Sequence, residues 1–246
     1  MRKENGFQPV VDEIEPLVGP RTAAVIINSP SNPTGAVFSK ESIQALVDMT
    51  HRHDVFLISD EAYEAIVFEE QHHSPAAFDR DDRVISVFGA SKTYAMTGWR
   101  IGYYVAPLRV ADEMHKVIEP FVVNATSISQ KAAEAALSGP RDCVREMVRA
   151  YRQRRDIVVE ALRQEGVEFF IPEGAFYLML EISETGMDSY GFARELVQET
   201  GVAVAPGRTF GPNSDNYIRI SFCAGPDELQ EGLRRFCRFY RNKCHR

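Results

Sequence analysis

No stretch of the 246-residue chain is apolar over the length that a membrane-spanning helix needs. The opening Met1-Arg2-Lys3-Glu4-Asn5-Gly6 is polar with no apolar run behind it, so no secretory leader is expected there. The four cysteines (Cys143, Cys223, Cys237, Cys244) form no CxxC pair and no zinc-type spacing. Reduced thiols in a cytoplasm are the expectation. A Walker loop and a GxGxxG turn are both missing, which argues against P-loop and Rossmann nucleotide binding. Positive charge is the minority sign, with 28 Lys and Arg against 35 Asp and Glu, a formal net charge of −7. That balance argues against nucleic acid or an anionic membrane as the main partner. Internal repeats and low-complexity segments are also missing.

What is present is a chain built to pack. Hydrophobic residues make up 44% and charged residues 26%, enough for one large domain or two modest ones with a sizeable core. Three short apolar runs, Ala23 to Asn28, Val55 to Ser59 and Val84 to Phe88, are apolar on both faces and end in polar residues. Buried parallel strands have this pattern. Between the first two, Ser39 is an N-cap for a helix over Lys40 to His53, with Ile43, Leu46, Val47 and Thr50 on one face. A fourth run, Ile101 to Ala106, follows the third too closely for a helical crossover, so an antiparallel strand is expected. The alternation of strand and helix predicts an α/β fold with a mostly parallel sheet.

The pattern changes near residue 140. Asp142 to Gln164 predicts one long helix with Val144, Met147, Val148, Tyr151, Val158, Ala161 and Leu162 as its apolar stripe, ended by Gly166. Arg145, Arg149 and Arg152 lie on its solvated or subunit-facing side. Short strands are expected around Glu168 to Ile171, Phe176 to Glu181, Val202 to Ala205 and Tyr217 to Ser221. A last helix starts at Pro226 and buries Leu229, Leu233, Phe236 and Tyr240. The reading is two domains: residues 1–140, then residues 141–246 as a long connecting helix and a smaller α+β domain.

Polar clusters follow the first three strands. They are Asn32-Pro33-Thr34-Gly35, Asp60-Glu61-Ala62-Tyr63, and Ser91-Lys92-Thr93 with Gly98-Trp99-Arg100. Ligands of open α/β sheets bind beyond the carboxyl ends of the strands, so three adjacent strands would gather these clusters at one crevice. Each alone has a plain structural reading: a turn, a cap for a helix over Glu61 to Val67, a surface lysine, a surface ion pair. Arg219 is harder to explain plainly. It sits in the apolar Tyr-Ile-Arg-Ile-Ser strand and needs an anionic partner, either an internal carboxylate or a substrate. His72-His73 and His51-x-His53 read as solvated loop and helix-end residues; no metal is expected.

Taken in order, Asn-Pro-Thr-Gly, Asp-x-x-Tyr, Ser-Lys, Gly-Trp-Arg and Tyr-Ile-Arg-Ile-Ser resemble the class I/II aminotransferases of the aspartate aminotransferase family, fold-type I enzymes of pyridoxal 5'-phosphate (PLP). The resemblance runs from about Ala23 to the last helix and includes Gly174-Ala175-Phe176-Tyr177, Ala205-Pro206-Gly207 and Phe210-Gly211. It implies a PLP-transferase-type large domain and a smaller C-terminal domain. It implies Lys92 as the catalytic Schiff-base lysine and Asp60 at the pyridine nitrogen. Tyr63 and Asn32 fall at the 3′-oxygen, and Ser91 and Arg100 at the phosphate. Arg219, with Asn32, falls at the substrate carboxylate. It further implies amino-group transfer between an amino acid, acidic or aromatic, and a 2-oxo acid, in a homodimer.

In this resemblance Met1 to Pro20 is only a short lead into the first strand. Family members carry before it a glycine-rich phosphate turn, a ring that stacks on the cofactor, and further strands. The expectation is therefore a half-built phosphate site and exposed apolar strand edges. Two alternatives share the motifs. One is the effector domain of a PLP-binding transcription regulator. The other is a PLP-dependent carbon–sulfur lyase, against which the wording Thr97-Gly98-Trp99-Arg100 favours an aminotransferase.

Overall fold

A computed structural model describes residues 2–244. Two compact units emerge among the described residues, the first made of 2–31 and 36–146, the second of 32–35 and 147–244.

The first unit is built on a four-stranded sheet of order β1-β2-β3-β4, with β1 Ala24–Asn28, β2 Phe56–Asp60, β3 Val84–Gly89 and β4 Gly102–Val105. The first three strands run parallel and β4 runs antiparallel to β3, as the short connection requires. A one-turn helix α1 (Val11–Ile14) precedes β1, and α2 (Lys40–Arg52) joins β1 to β2. The Ser39 hydroxyl accepts from the Ser42 amide at 3.1 Å and caps α2. Ile43, Leu46, Val47 and Met49 of α2 close over Ile27, Leu57 and Val84 to form the core. Full burial of each such side chain contributes about 1.5–3 kcal/mol.

The parallel strands read as covered on both faces, and the structure departs from that. Side chains alternate across a strand, and the face opposite α2 leaves Ile26 71% and Val87 37% exposed. The cause is local. Both connections between the parallel strands lie on the other face, where α2 and Phe78, beside the 3-10 segment Pro75–Ala77, pack on the same core. Helix α3 (Ala90–Thr93) is one turn long, and α4 (Leu108–Val122) buries none of its residues. Phe121, Val122 and Val123 are open to solvent. Helix α5 (Ser127–Ser138) follows, and α6 (Asp142–Gln164) carries the division between the units after Glu146.

The second unit holds an antiparallel sheet of order β5-β7-β6, with β5 Tyr177–Glu181, β6 Ala205–Pro206 and β7 Tyr217–Ser221. Helices α7 (Ser189–Thr200) and α8 (Pro226–Cys244) complete it, with Phe192 of α7 among the rings of Phe236, Phe239 and Tyr240.

Three expectations are corrected. Glu168 to Ile171 forms no strand: the next carbonyl, Pro172 O, accepts from Arg155 Nη1 at 3.1 Å, and proline has no ladder donor. The strand expected over Val202 to Ala205 shrinks to Ala205–Pro206. Glu61 to Val67 is a run of turns, with Ile66 N donating to Tyr63 O at 2.8 Å, so Asp60 caps no helix. No helix among the described residues is long and apolar enough to cross a membrane.

Candidate active site

In the first unit the parallel register sets Asn28, Asp60 and Val87 side by side, which aligns the carboxyl ends of β1, β2 and β3. Asp60 is the last residue of β2. Its Oδ1 accepts from the Ala62 amide at 3.1 Å, which fixes the carboxylate at the strand end. The backbone there is tied to both neighbours: the Asp60 carbonyl accepts from Asn28 Nδ2 at 3.0 Å, and Glu61 N donates to Val87 O at 2.9 Å. Tyr63, on the turn that follows, is buried.

Ser91 and Lys92 lie on α3, directly beyond β3, and both are half-buried. Thr93, next to Lys92, donates from Oγ1 to Glu64 Oε1 at 3.2 Å, which anchors this short helix to the Asp60–Tyr63 turn segment. Arg100 is exposed and holds a left-handed backbone, φ 50° and ψ 50°. That conformation strains a residue with a Cβ, and such strain concentrates where a side chain must be aimed. One guanidinium nitrogen, Nη1, donates to Thr97 O at 3.0 Å.

Asn32 belongs to the second unit, where it meets Arg219. Gly35, at φ 76°, makes that placement possible. A Cβ there would sit 2.6 Å from Pro172 Cβ and 2.7 Å from Tyr177 O. The Gly35 carbonyl accepts from Glu173 N and Gly174 N, each at 2.9 Å. With the turn so pinned, Arg219 Nη1 donates to Asn32 Oδ1 at 2.8 Å. The guanidinium carbon lies 4.2 Å from the Tyr177 ring centre and 4.9 Å from that of Phe210. Arg219 Nε is buried and has no hydrogen-bond partner, and no carboxylate pairs with Arg219 among the described residues. Of the two partners expected for Arg219, the internal carboxylate is therefore excluded.

Sequence reasoning missed a buried group beside Asp60. Glu61 is fully buried; its Oε1 accepts from Ser74 Oγ at 3.0 Å, and its Oε2 meets His72 Nε2 at 2.7 Å. His72 is therefore no solvated loop residue, which corrects the reading above. His51 and His53 are also engaged, with Asp81 at 2.6 Å and Glu15 at 2.8 Å. These pairings carry no sequence signal, since 11 to 38 residues separate the partners.

A family profile described as aminotransferase class I and II matches residues 1–236. The chain belongs to this family. It is 38% identical over 248 residues to an aromatic-amino-acid aminotransferase of Thermococcus litoralis, covering 98% of this chain and 63% of that one. It is 38% identical over 245 residues to an aspartate aminotransferase of Pyrococcus abyssi, with the same coverages. Among solved structures, an aromatic aminotransferase from Pyrococcus horikoshii superposes with a TM-score of 0.95 at 37% identity, covering 98% of this chain and 66% of that one. An aspartate aminotransferase of Thermus thermophilus with maleate gives 0.91 at 37%, covering 97% and 62%. The chain thus has their α/β fold with a mostly parallel sheet, and spans less than two thirds of their length.

Proposed function

We propose that this chain serves a PLP-dependent aminotransferase that moves an amino group between an amino acid and a 2-oxo acid. The observation that carries this reading is Arg219. A guanidinium in an apolar strand, with its Nε buried and unpartnered and an amide where a carboxylate would normally pair, is set for an anion from outside the chain. An α-carboxylate matches its planar fork.

The residues of the first unit fit PLP by their chemistry. Lys92 offers an amine to its aldehyde, and Asp60 a carboxylate to its ring nitrogen. Tyr63 offers a phenol to its 3′-oxygen; Asn32, in the second unit, carries an amide of matching chemistry. Ser91 and Arg100 offer donors to its phosphate. When bound, the protonated pyridine ring supplies an electron sink for negative charge at the substrate Cα. Asp60, held by the Ala62 amide, would keep that ring protonated. The Lys92 amine would serve as the base that takes the proton from the substrate Cα and, as its conjugate acid, would give it back. Arg219 would bind the substrate by its carboxylate.

The relatives named aspartate and aromatic aminotransferases support an acidic or aromatic donor. The family resemblance supports a homodimer, and the four free thiols support a cytoplasmic setting. The resemblance also supports a division into a PLP-binding part, residues 1–140, and a connecting helix with a small domain, residues 141–246. To test the function, PLP is added to the purified chain and to Lys92→Ala, and visible absorption is recorded before and after borohydride. A band in the wild type alone, fixed by borohydride on the peptide containing Lys92, is expected. Equal bands in both proteins would remove Lys92 from its role. Amino acids are then screened for loss of the band, with aspartate, glutamate and the aromatic amino acids expected first.

A further inference from the structure

The segments Gly174-Ala175-Phe176-Tyr177 and Phe210-Gly211 have no part in the chemistry above, yet both rings touch Arg219. We propose that Tyr177 and Phe210 are positioning residues that hold the Arg219 guanidinium in the pose that receives a carboxylate. The proposal rests on the reading of Arg219 as the carboxylate clamp.

The physical case begins with what a guanidinium can do at once. Its flat faces are attracted to aromatic rings, while its N–H donors point outward in its own plane. Rings at 4.2 and 4.9 Å therefore hold the group without using any donor. Asn32 uses a donor on Nη1 only. The buried Nε stays without a partner, on an edge where two parallel donors can meet two carboxylate oxygens. An internal carboxylate would hold Arg219 as firmly, but would occupy that edge and cancel the charge.

The backbone is arranged to deliver both rings. Ala175, fully buried, takes a left-handed φ of 55° one residue before Phe176, and Phe222 N donates to Phe176 O at 3.1 Å. Such strain in a residue with a Cβ persists only where the surroundings enforce it. It sets the start of β5, and with it the Tyr177 side chain. Phe176 stacks on Tyr151 at 5.1 Å and lies 4.6 Å from the Tyr177 ring, which supports that ring from behind. Phe210 ends a 3-10 turn that starts at Gly207. A Cβ on Gly207 would collide with the carbonyl oxygens of Ser214 and Tyr217, so only glycine lets this turn lie against the start of β7, the strand that carries Arg219.

The test uses the full chain loaded with PLP and 2-oxoglutarate as the probe, its dissociation constant measured by calorimetry. Arg219→Ala is expected to abolish binding. Tyr177→Leu and Phe210→Leu each weaken it about tenfold, the scale of one partly desolvated cation–π contact. Tyr177→Phe, which keeps the ring, stays within about twofold of wild type. In turnover the leucine variants raise KM more than they lower kcat. A second readout needs no ligand. In the wild type the Arg219 Nε–H proton resonance is displaced upfield by the rings; it relaxes toward the free-arginine position in either leucine variant and not in Tyr177→Phe. If wild type fails to bind the probe, or Arg219→Ala binds it equally, the carboxylate reading fails and the inference goes with it. If Arg219→Ala loses binding while both leucine variants match wild type, the positioning role alone is overturned. An Arg219 signal at the free-arginine position in the wild type overturns it too, even where a leucine variant does not fold.

Discussion

Glu61 shows how one residue can bear on the site without touching a ligand. Its carboxylate is fully buried and is held by one hydroxyl and one imidazole. Because Asp60 precedes it and Tyr63 follows two residues later, anchoring Glu61 to residues 72–74 fixes the backbone that presents both. Replacing Glu61 with Ala removes the partner of His72 Nε2 and of Ser74 Oγ in a dry setting. The cost is expected to be about 2–3 kcal/mol, read as a lower urea midpoint with an unchanged slope. Arg100 makes the opposite case. Its left-handed backbone costs roughly 1–2 kcal/mol in any residue with a Cβ. Arg100→Gly relieves that strain, so stability is expected to hold or rise by up to about 1 kcal/mol, while PLP affinity, measured by titration, falls. A variant that lost stability and kept its affinity would show that the strained conformation serves the fold and not the phosphate.

At the scale of elements, the best anticipated pieces had strong local chemistry. Helix α6 occupies Asp142–Gln164 and α8 starts at Pro226, as periodicity and first-turn proline predict. Strand β7 occupies Tyr217–Ser221 because its alternation is clean and its neighbours on both sides are strands. Local pattern failed where pairing decided. Glu168 to Ile171 has strand composition but no ladder partner, and the nearby Pro172 carbonyl is taken by a side chain. The turns over Glu61 to Val67 were open to a helical reading because nothing in the sequence reveals that Glu61 is drawn inward by His72 and Ser74. Helix α2 owes its start to Ser39, which accepts from Ser42 N. Ser39→Ala is expected to cost about 1 kcal/mol in chemical denaturation, with Ser39→Asp close to wild type. An equal loss in both would mean that the hydroxyl pair with Ser42, at 3.2 Å, matters more than the cap.

For the whole molecule, acid and alkali act through different groups. The guanidinium groups of Arg234 and Arg235 hold the Glu231 carboxyl down at about 2. Hydrogen bonds from Arg52 and His53 lower Glu15, and those from Ser189 and Arg208 lower Asp215. Groups lowered in the folded state stabilise it above their unfolded values, near 4, and that contribution is lost as pH falls through the folded values. All three lie at the surface, partly open to water, so the acid slope is shallow. At the alkaline side the sign reverses. Burial pushes the Cys237 thiol up from 9.0 to about 11, and the Tyr151 hydroxyl, through burial and its Cys223 neighbour, from 10.0 to about 12. Burial raises Tyr240 further. Folding favours their neutral forms, so this contribution is complete below pH 9 and is lost as pH rises through about 11 to 12. The urea midpoint is expected to be flat from pH 6 to 8 and to fall above 9. In Cys237→Ala the fall between pH 9 and 10 is smaller, and an unchanged fall would remove that thiol from the account.

The sequence by itself determined the family and the order of the elements. Those depend on short runs whose turn, cap and strand chemistry is local, and on motifs that keep their order along the chain. Only the tertiary structure decided which groups meet. Asn32 and Arg219 are 187 residues apart, and it took the close approach of Gly35 to β5 to bring them together. The rings that hold Arg219, the buried partners of Glu61, and the open face at Ile26 and Val87 were likewise settled by packing. The physical reason is the same in each case. A side chain's partner is chosen by the space and unpaired polar atoms around it after the backbone has folded, and a sequence records neither.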